Sequence, residues 1–294
     1  MEDSRRRPRY RPVVRMLWPT ERGTGTRRAG DAVDADHADG LDETDPAEIY
    51  GADSRPPPGD RPWVLVNMIA SIDGAATDPT GRSAGLGGPA DLRVFSAIRA
   101  VADIVLAGAG TVRAERYGPA RMLPAQEEAR RARGQSPRPR IAVVTRSLAL
   151  DLELPLFRET TDEYRPIVIT TTAGLDRVRS TGGASATQDL AMVAEIVVAG
   201  DESVDWHRAL RALRTTARAG VVLVEGGPNT SAQLVAADLV DELCLTVSPQ
   251  LIGADGPRIV CGVGAEAPRR MALDRVLLED DYLFLRYLRQ RDGG

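Results

Sequence analysis

The sequence predicts an α/β fold: an open, mainly parallel central sheet with helices on both faces and an antiparallel edge at its C-terminal end. Two observations predict it. From Trp63 onward, short apolar runs of strand length alternate with amphipathic stretches of helical period, the signature of successive strand–helix units. The last two apolar runs, 275–278 and 282–288, follow one another with no helix between them, as antiparallel neighbours do.

Taken in order, residues 64–69 form the first strand and end in Ala70-Ser71-Ile72-Asp73-Gly74. Pro89 opens a helix in which Leu92, Phe95, Ile98 and Val101 recur at helical spacing along one face. Residues 104–107 read as a buried strand running into Gly108-Ala109-Gly110-Thr111, and 127–133 as a polar helix or loop. Residues 141–144 and 167–169 are further strands that run into threonines, and 194–198 is a weaker one. Trp206, Leu210 and Leu213 mark a helix, then 221–224 runs into Glu225-Gly226-Gly227-Pro228. A helix containing Leu234, a strand at 241–247 and the two late strands complete the chain. Roughly 230 residues of this kind bury one core without a second domain, so residues 61–294 read as a single domain.

Residues 1–60 differ. Residues 5–15 are basic and Pro-interrupted, 31–53 are acidic, and Arg55-Pro56-Pro57-Pro58-Gly59 is a stiff linker. Because the acidic run cancels the basic one, a charged, partly flexible extension fits better than a nucleic-acid or membrane contact. Two islands, 13–18 and 46–50, have the apolar residues to dock on the folded body.

Composition narrows the chemistry. The 294 residues carry a net charge of −4, with 43% hydrophobic and 27% charged residues, as in a cytoplasmic globular protein. No apolar run approaches membrane-spanning length, and the start of the chain lacks the apolar core of a secretory signal. Cys244 and Cys261 form no CxxC pair, so no disulfide framework or cysteine metal site is expected. There is no lysine: all 38 basic residues are arginine, which excludes Walker-A binding and Schiff-base chemistry. With His37 and His207 alone, a Ser-His-Asp triad or a histidine metal site has almost no raw material.

The ends of the strands carry the functional signal, since open α/β sheets bind ligands beyond the carboxyl ends of their strands. Gly108 and Gly110 make a GxG without the last glycine of a dinucleotide fingerprint, and read equally well as a tight turn. The run Glu225-Gly226-Gly227-Pro228-Asn229-Thr230-Ser231 is stronger: two glycines before a helix-opening proline gather free N–H groups at one point, where an anion binds. In Thr145-Arg146-Ser147 an arginine flanked by hydroxyls suits a ribose 2′-phosphate, a contact worth on the order of 1.5–3 kcal/mol, and points to NADPH over NADH.

These residues also carry a family resemblance. Ser71-Ile72-Asp73-Gly74, the Thr80-Gly81-Arg82-Ser83 turn, 92–103 and Gly110-Thr111-Val112 resemble the first half of the pyrimidine reductases of riboflavin biosynthesis. Val224-Glu225-Gly226-Gly227-Pro228, Asp241-Glu242-Leu243 and Ser248-Pro249-Gln250-Leu251-Ile252-Gly253 resemble the second half. The resemblance spans about residues 62–290, and the long extension makes it most similar to the stand-alone actinobacterial form. It implies a dihydrofolate-reductase-like fold, a homodimer and NADPH-dependent reduction of 5-amino-6-(5-phosphoribosylamino)uracil to its ribitylamino form. It assigns Ser83, Arg99 and Glu225 to substrate, Arg121 to the substrate phosphate, and Thr111, Glu115 and the loop Gly226 to Ser231 to cofactor. Three departures stand out. The zinc deaminase motifs are missing, Asn67 stands where bifunctional relatives carry lysine, and Gly85 stands where some carry tryptophan.

Glu225, Asp73 and Asn67 are the candidate catalytic residues, with Ala70, Gly108 and Gly110 on the cofactor side. Asp73 also suits a turn and Glu225 a helix cap. Two other functions fit the same fold: reduction of dihydrofolate or another pteridine, and nucleotide binding without turnover. The arginines near Ser83 and Arg99 favour a phosphorylated pyrimidine; nucleic acid and membrane are not expected partners.

Overall fold

The computed structural model describes residues 14–18, 43–253, 256–262 and 265–290. Strands β1 (Val14–Trp18) and β2 (Glu43–Thr44) and helix α1 (Pro46–Ala52) precede β3 (Trp63–Ser71). Then follow α2 (Pro89–Arg99), β4 (Ile104–Gly108), α3 (Ala109–Ala114), α4 (Pro124–Ala132), β5 (Arg140–Val144), α5 (Pro155–Arg158), β6 (Ile167–Thr170) and α6 (Thr172–Val193). The chain ends with β7 (Glu195–Val198), α7 (Trp206–Thr216), β8 (Val221–Glu225), α8 (Pro228–Ala236), β9 (Glu242–Ser248), β10 (Met271–Glu279) and β11 (Tyr282–Arg289).

All these strands join one sheet in the order β2-β1-β10-β11-β9-β3-β8-β4-β5-β6-β7. From β9 to β7 every pairing is parallel, and from β9 through β11 and β10 to β1 and β2 every pairing is antiparallel. The sheet is therefore mainly parallel with an antiparallel edge, as the sequence predicts. Helices cover both faces. One core gathers Val94 and Ile98 of α2, Val112 of α3, Phe157 of α5 and Leu190 of α6; the other gathers Trp206, Leu210 and Leu213 of α7 and Leu234 of α8. Burial explains the strand sequences: β8 is buried along its whole length, so it reads as an unbroken apolar run ending in a single carboxylate.

The topology creates the site. The chain passes from β3 to β4, moves outward strand by strand to β7, and then returns to insert β8 between β3 and β4. This reversal opens a crevice at the carboxyl ends of β3, β8 and β4.

Two features differ from the expected pattern. In α2 the core face is Ala90, Val94, Ala97 and Ile98, whereas Leu92 is 64% exposed. Small residues let the helix lie close to the sheet and carry little signal, while the larger apolar residues line a cleft. The 22-residue α6 is rich in Gly, Ser, Thr and Ala, so no apolar periodicity announces it. Within the first sixty residues, β1 pairs with β10, and Ile49 and Tyr50 of α1 are buried. The basic residues 5–13, much of the acidic run and His37 lie outside the described residues. Among the described residues no helix is long and apolar enough to cross a membrane, and Cys244 and Cys261 are free thiols.

Candidate active site

The crevice is a cleft of about 260 Å³. Asn67 lies on β3 in register with Glu225 of β8, so two polar side chains reach it from adjacent parallel strands. Helix α2 contributes Asp91, Phe95 and Arg99, spaced four apart and therefore stacked on one face. Thr111 comes from α3, Glu115 and Tyr117 from the segment after it, and Ser83 from the 3-10 turn Ser83–Gly85.

Arg99 and Glu225 form its electrostatic centre. Arg99 Nε donates to Glu225 Oε1 at 2.7 Å and Nη2 to Oε2 at 2.5 Å, a two-pronged ion pair. The Tyr117 hydroxyl donates to Glu225 Oε2 at 3.3 Å. The guanidinium carbon lies 4.7 Å from the Phe95 ring centre and 5.8 Å from that of Tyr117, so aromatic faces flank the cation. Burial disfavours charge on Arg99, but the Glu225 carboxylate outweighs it and holds the guanidinium above its ordinary range. Burial, and then the Glu225 charge, push the Tyr117 phenol well above the ordinary tyrosine value, so it stays protonated. Tyr117 enters the cleft because Arg116, at φ 48°, turns the chain sharply after α3.

Beside this pair, Asn67 Oδ1 is buried without a hydrogen-bond partner. Such an acceptor costs about 1–3 kcal/mol in the folded protein and marks a place for a donor.

The glycine-rich loop closes the cleft between β8 and α8. Gly226 and Gly227 have φ of 70° and 79°, in the left-handed region. A Cβ at Gly226 would sit 3.1 Å from Thr111 Cγ2, and one at Gly227 would sit 3.1 Å from Thr230 Oγ1. The two glycines thus bring the loop against α3. Gly227 is the N-cap of α8 and supplies no capping side chain, so Glu225 does not cap this helix. Gly110 faces open space, whereas Gly108 packs against Thr230.

Several expected residues sit elsewhere. Asp73 is exposed and outside the cleft lining: it accepts from Ser71 Oγ at 2.5 Å and from the N–H groups of Ile252 and Gly253 at 3.2 and 2.7 Å. These bonds, Ser71's first, lower its carboxyl to about 2, as in a latch between the turn after β3 and the loop after β9. Ala70 is buried beside Val247 and does not line the cleft. Arg121 is exposed and outside the lining. Thr145 is buried, with its hydroxyl accepting from Leu148 N–H; Ser147 accepts from Ala149 N–H; Arg146 is exposed at the end of β5. Asn229 accepts from Gln233, and Pro228 is the first residue of α8. Ser231 faces a second, apolar cavity of about 270 Å³ with Val66 and Leu243, on the other side of the sheet. Its hydroxyl, too, is buried without a partner. A side chain at Gly85 would collide with the Asp78 carboxylate, so that wall has no room for tryptophan.

Asp91 and Tyr117 are lining residues that the sequence did not mark, and Phe95, marked there only as part of an apolar helical face, joins them. The four-residue spacing of Asp91, Phe95 and Arg99 was available as a signal; Tyr117 had none.

The family model described as the RibD C-terminal domain matches residues 62–281. The chain is 32% identical over 206 residues to a 2,5-diamino-6-ribosylamino-4(3H)-pyrimidinone 5′-phosphate reductase of Archaeoglobus fulgidus, covering 68% of this chain and 86% of the relative. A protein of the same name from Methanothermobacter thermautotrophicus is 30% identical over 208 residues, covering 70% and 87%. Among solved structures, a pyrimidine reductase-like protein from Corynebacterium diphtheriae superposes with a TM-score of 0.69 at 27% identity, covering 79% of this chain and 93% of that one. The match over most of the ordered sheet, together with these relatives, shows that the chain belongs to the RibD C-terminal domain family.

Proposed function

We propose that the chain is an NADPH-dependent reductase that converts a ribosylamino-pyrimidine 5′-phosphate, 5-amino-6-(5-phosphoribosylamino)uracil or its 2,5-diamino counterpart, to the ribitylamino form in riboflavin biosynthesis. The observation that carries this reading is the convergence, at one rim of the sheet, of the Arg99–Glu225 pair, the unpartnered Asn67 acceptor and the glycine loop.

The residues present fit both ligands. A pyrimidine carries amino and ring N–H donors, and Asn67 Oδ1 and Glu225 are acceptors on neighbouring strands. Arg99 spends Nε and Nη2 on Glu225, which leaves Nη1 as a donor to substrate. Ser83, on an exposed turn over the cleft, offers a hydroxyl to the sugar, and exposed Arg121 is a candidate for its phosphate. For the dinucleotide, Gly226 lines the cleft beside Thr111 and Glu115, and the open surface at Gly110 admits a close approach to the backbone. Arg146 supports NADPH through a ribose 2′-phosphate. When bound, the nicotinamide supplies a hydride. The protein's part is to orient the sugar's first carbon, exclude water with Phe95 and Leu92, and hold a proton donor nearby.

A homodimer is part of this proposal. On the sheet face opposite Asn67, Leu243, Leu245, Leu283, Leu285, Val276 and Leu278 lie side by side, none of them fully buried. A second copy burying this stripe would complete it.

The purified protein should oxidise NADPH with either pyrimidine phosphate and yield a product two hydrogens heavier by mass spectrometry. No oxidation with either pyrimidine, or faster oxidation with dihydrofolate, would overturn the assignment. Sedimentation should give twice the 31.6 kDa chain mass.

A further inference from the structure

Three carboxylates line the cleft: Asp91, Glu115 and Glu225. Glu225 is committed as an anion to Arg99. Asp91 is held differently. It is the third residue of α2, in the first turn after the Gly88 N-cap. Its carboxyl instead meets the hydroxyl of Thr246 on β9, and no ion pair among the described residues neutralises it. The carboxyl also packs close to the backbone before the helix: a Cβ at Gly87 would lie 2.8 Å from Asp91 Oδ2. The cleft wall it shares includes Leu92 and Phe95 of its own helix and Ile69 and Ala76 of β3 and the turn beyond, together with the polar Asn67 and Ser83. Burial raises its pKa, against the smaller effect of the Thr246 bond. The other charged or titratable groups lining the cleft are Arg99, Glu225, Glu115 and Tyr117, and Arg99 is already occupied.

We propose that Asp91 is the catalytic acid of this cleft, giving its proton to the ribose ring oxygen as the sugar opens. The inference deepens the reductase reading and rests on it. The bond between C1′ and the ring oxygen breaks toward oxygen, which takes the Asp91 proton. The lone pair of the exocyclic nitrogen forms the new C1′–N double bond, leaving an iminium on the substrate. Reduction of C1′, for which a bound nicotinamide would supply the hydride, returns that electron pair to nitrogen. Asp91, now a carboxylate, regains a proton from water, so one hydride and one proton enter the product.

The experiment is a pH–rate comparison of the full chain with Asp91→Asn and Asp91→Glu. Asp91→Asn should fold with an unchanged circular dichroism spectrum and bind NADPH as the parent does, with kcat lowered about 100-fold. The parent's kcat should fall on the alkaline side as Asp91 loses its proton; that limb should vanish in Asp91→Asn and return, with part of the rate, in Asp91→Glu. An Asp91→Asn protein with kcat within about threefold of the parent and an unaltered pH profile would overturn the assignment. The parent's own turnover tests the reductase reading separately. Should it be absent, carbon-13 NMR titration of the Asp91 carboxyl, assigned with Asp91→Asn, still decides: retention of the proton above the ordinary aspartate range supports the acid role, and ordinary titration sinks it.

Discussion

Glu225 ends β8 in the grip of Arg99, and the two are stable only together. The Glu225 side chain is 4% exposed and that of Arg99 22%. Removing one partner of such a pair leaves an uncompensated charge at the cleft wall. Glu225→Gln keeps the shape and loses the charge; it should cost about 2 kcal/mol in urea unfolding, toward the low end because Arg99 keeps some contact with water. Turnover should fall with it, and unchanged kinetics would remove Glu225 from the site. Asp73 plays a different part. Its folded carboxyl, lowered to about 2 from 3.8, binds two loop N–H groups as an anion. A depressed value means the latch is intact above the unfolded-state pKa and is lost as pH falls through the folded one. Amide exchange should show Ile252 and Gly253 protected at pH 5 and released as the pH approaches 2, while Asp73→Asn weakens that protection throughout. Of the three residues expected to be catalytic, Glu225 and Asn67 meet in the cleft and Asp73 does not. An aspartate before a glycine fits a turn and a site equally well; only the approach of Ile252, 179 residues away, separates the two.

Among the elements, the glycine loop makes a contrast that measurement can resolve. Gly226→Ala and Gly227→Ala place a side chain at positive φ and against Thr111 or Thr230, so each should destabilise by about 1–2 kcal/mol and weaken NADPH binding. Gly110→Ala meets nothing within 4 Å, and in α3 alanine should be neutral or stabilising by up to about 1 kcal/mol. If the open surface there receives the dinucleotide, calorimetry should nonetheless find its affinity reduced. An unchanged affinity would place the ligand elsewhere. The double glycine was legible in sequence because its conformation is local. The apolar period of α2 is real, but a helix between a core and a cleft has two apolar faces, and the period does not say which is which. Its buried face of Ala90, Val94, Ala97 and Ile98 is the quieter one.

At the scale of the whole molecule, a buried charge network binds the segment before β3 to the antiparallel edge. Glu242 of β9 accepts from Arg55 through both oxygens at 2.9 Å, from Trp63 Nε1 at 3.0 Å and from Arg286 Nε at 2.7 Å. Asp53 accepts from Arg275 at 3.0 and 2.8 Å. Despite burial, the arginines hold the Glu242 carboxyl at about 2, so this network resists acid down to that range and then fails as pH falls through it. Deleting residues 1–60 would strip Asp53 and Arg55 from Arg275, Arg286 and Glu242 and uncover the β10 edge. The truncated chain should show a markedly lower thermal midpoint than the full chain. An equal midpoint would make the extension dispensable to the fold.

Properties of neighbouring residues can be read along the chain: strand and helix periods, the glycine turns, and an all-arginine basic set that leaves phosphate recognition to guanidinium and backbone N–H groups. Which distant segments meet depends on how the strands are ordered in space. Arg99 and Glu225 are 126 residues apart in the chain and become partners because β8 enters the sheet between β3 and β4. Periodicity records which faces are apolar. It is silent on strand order, and strand order decides which side chains share a cleft.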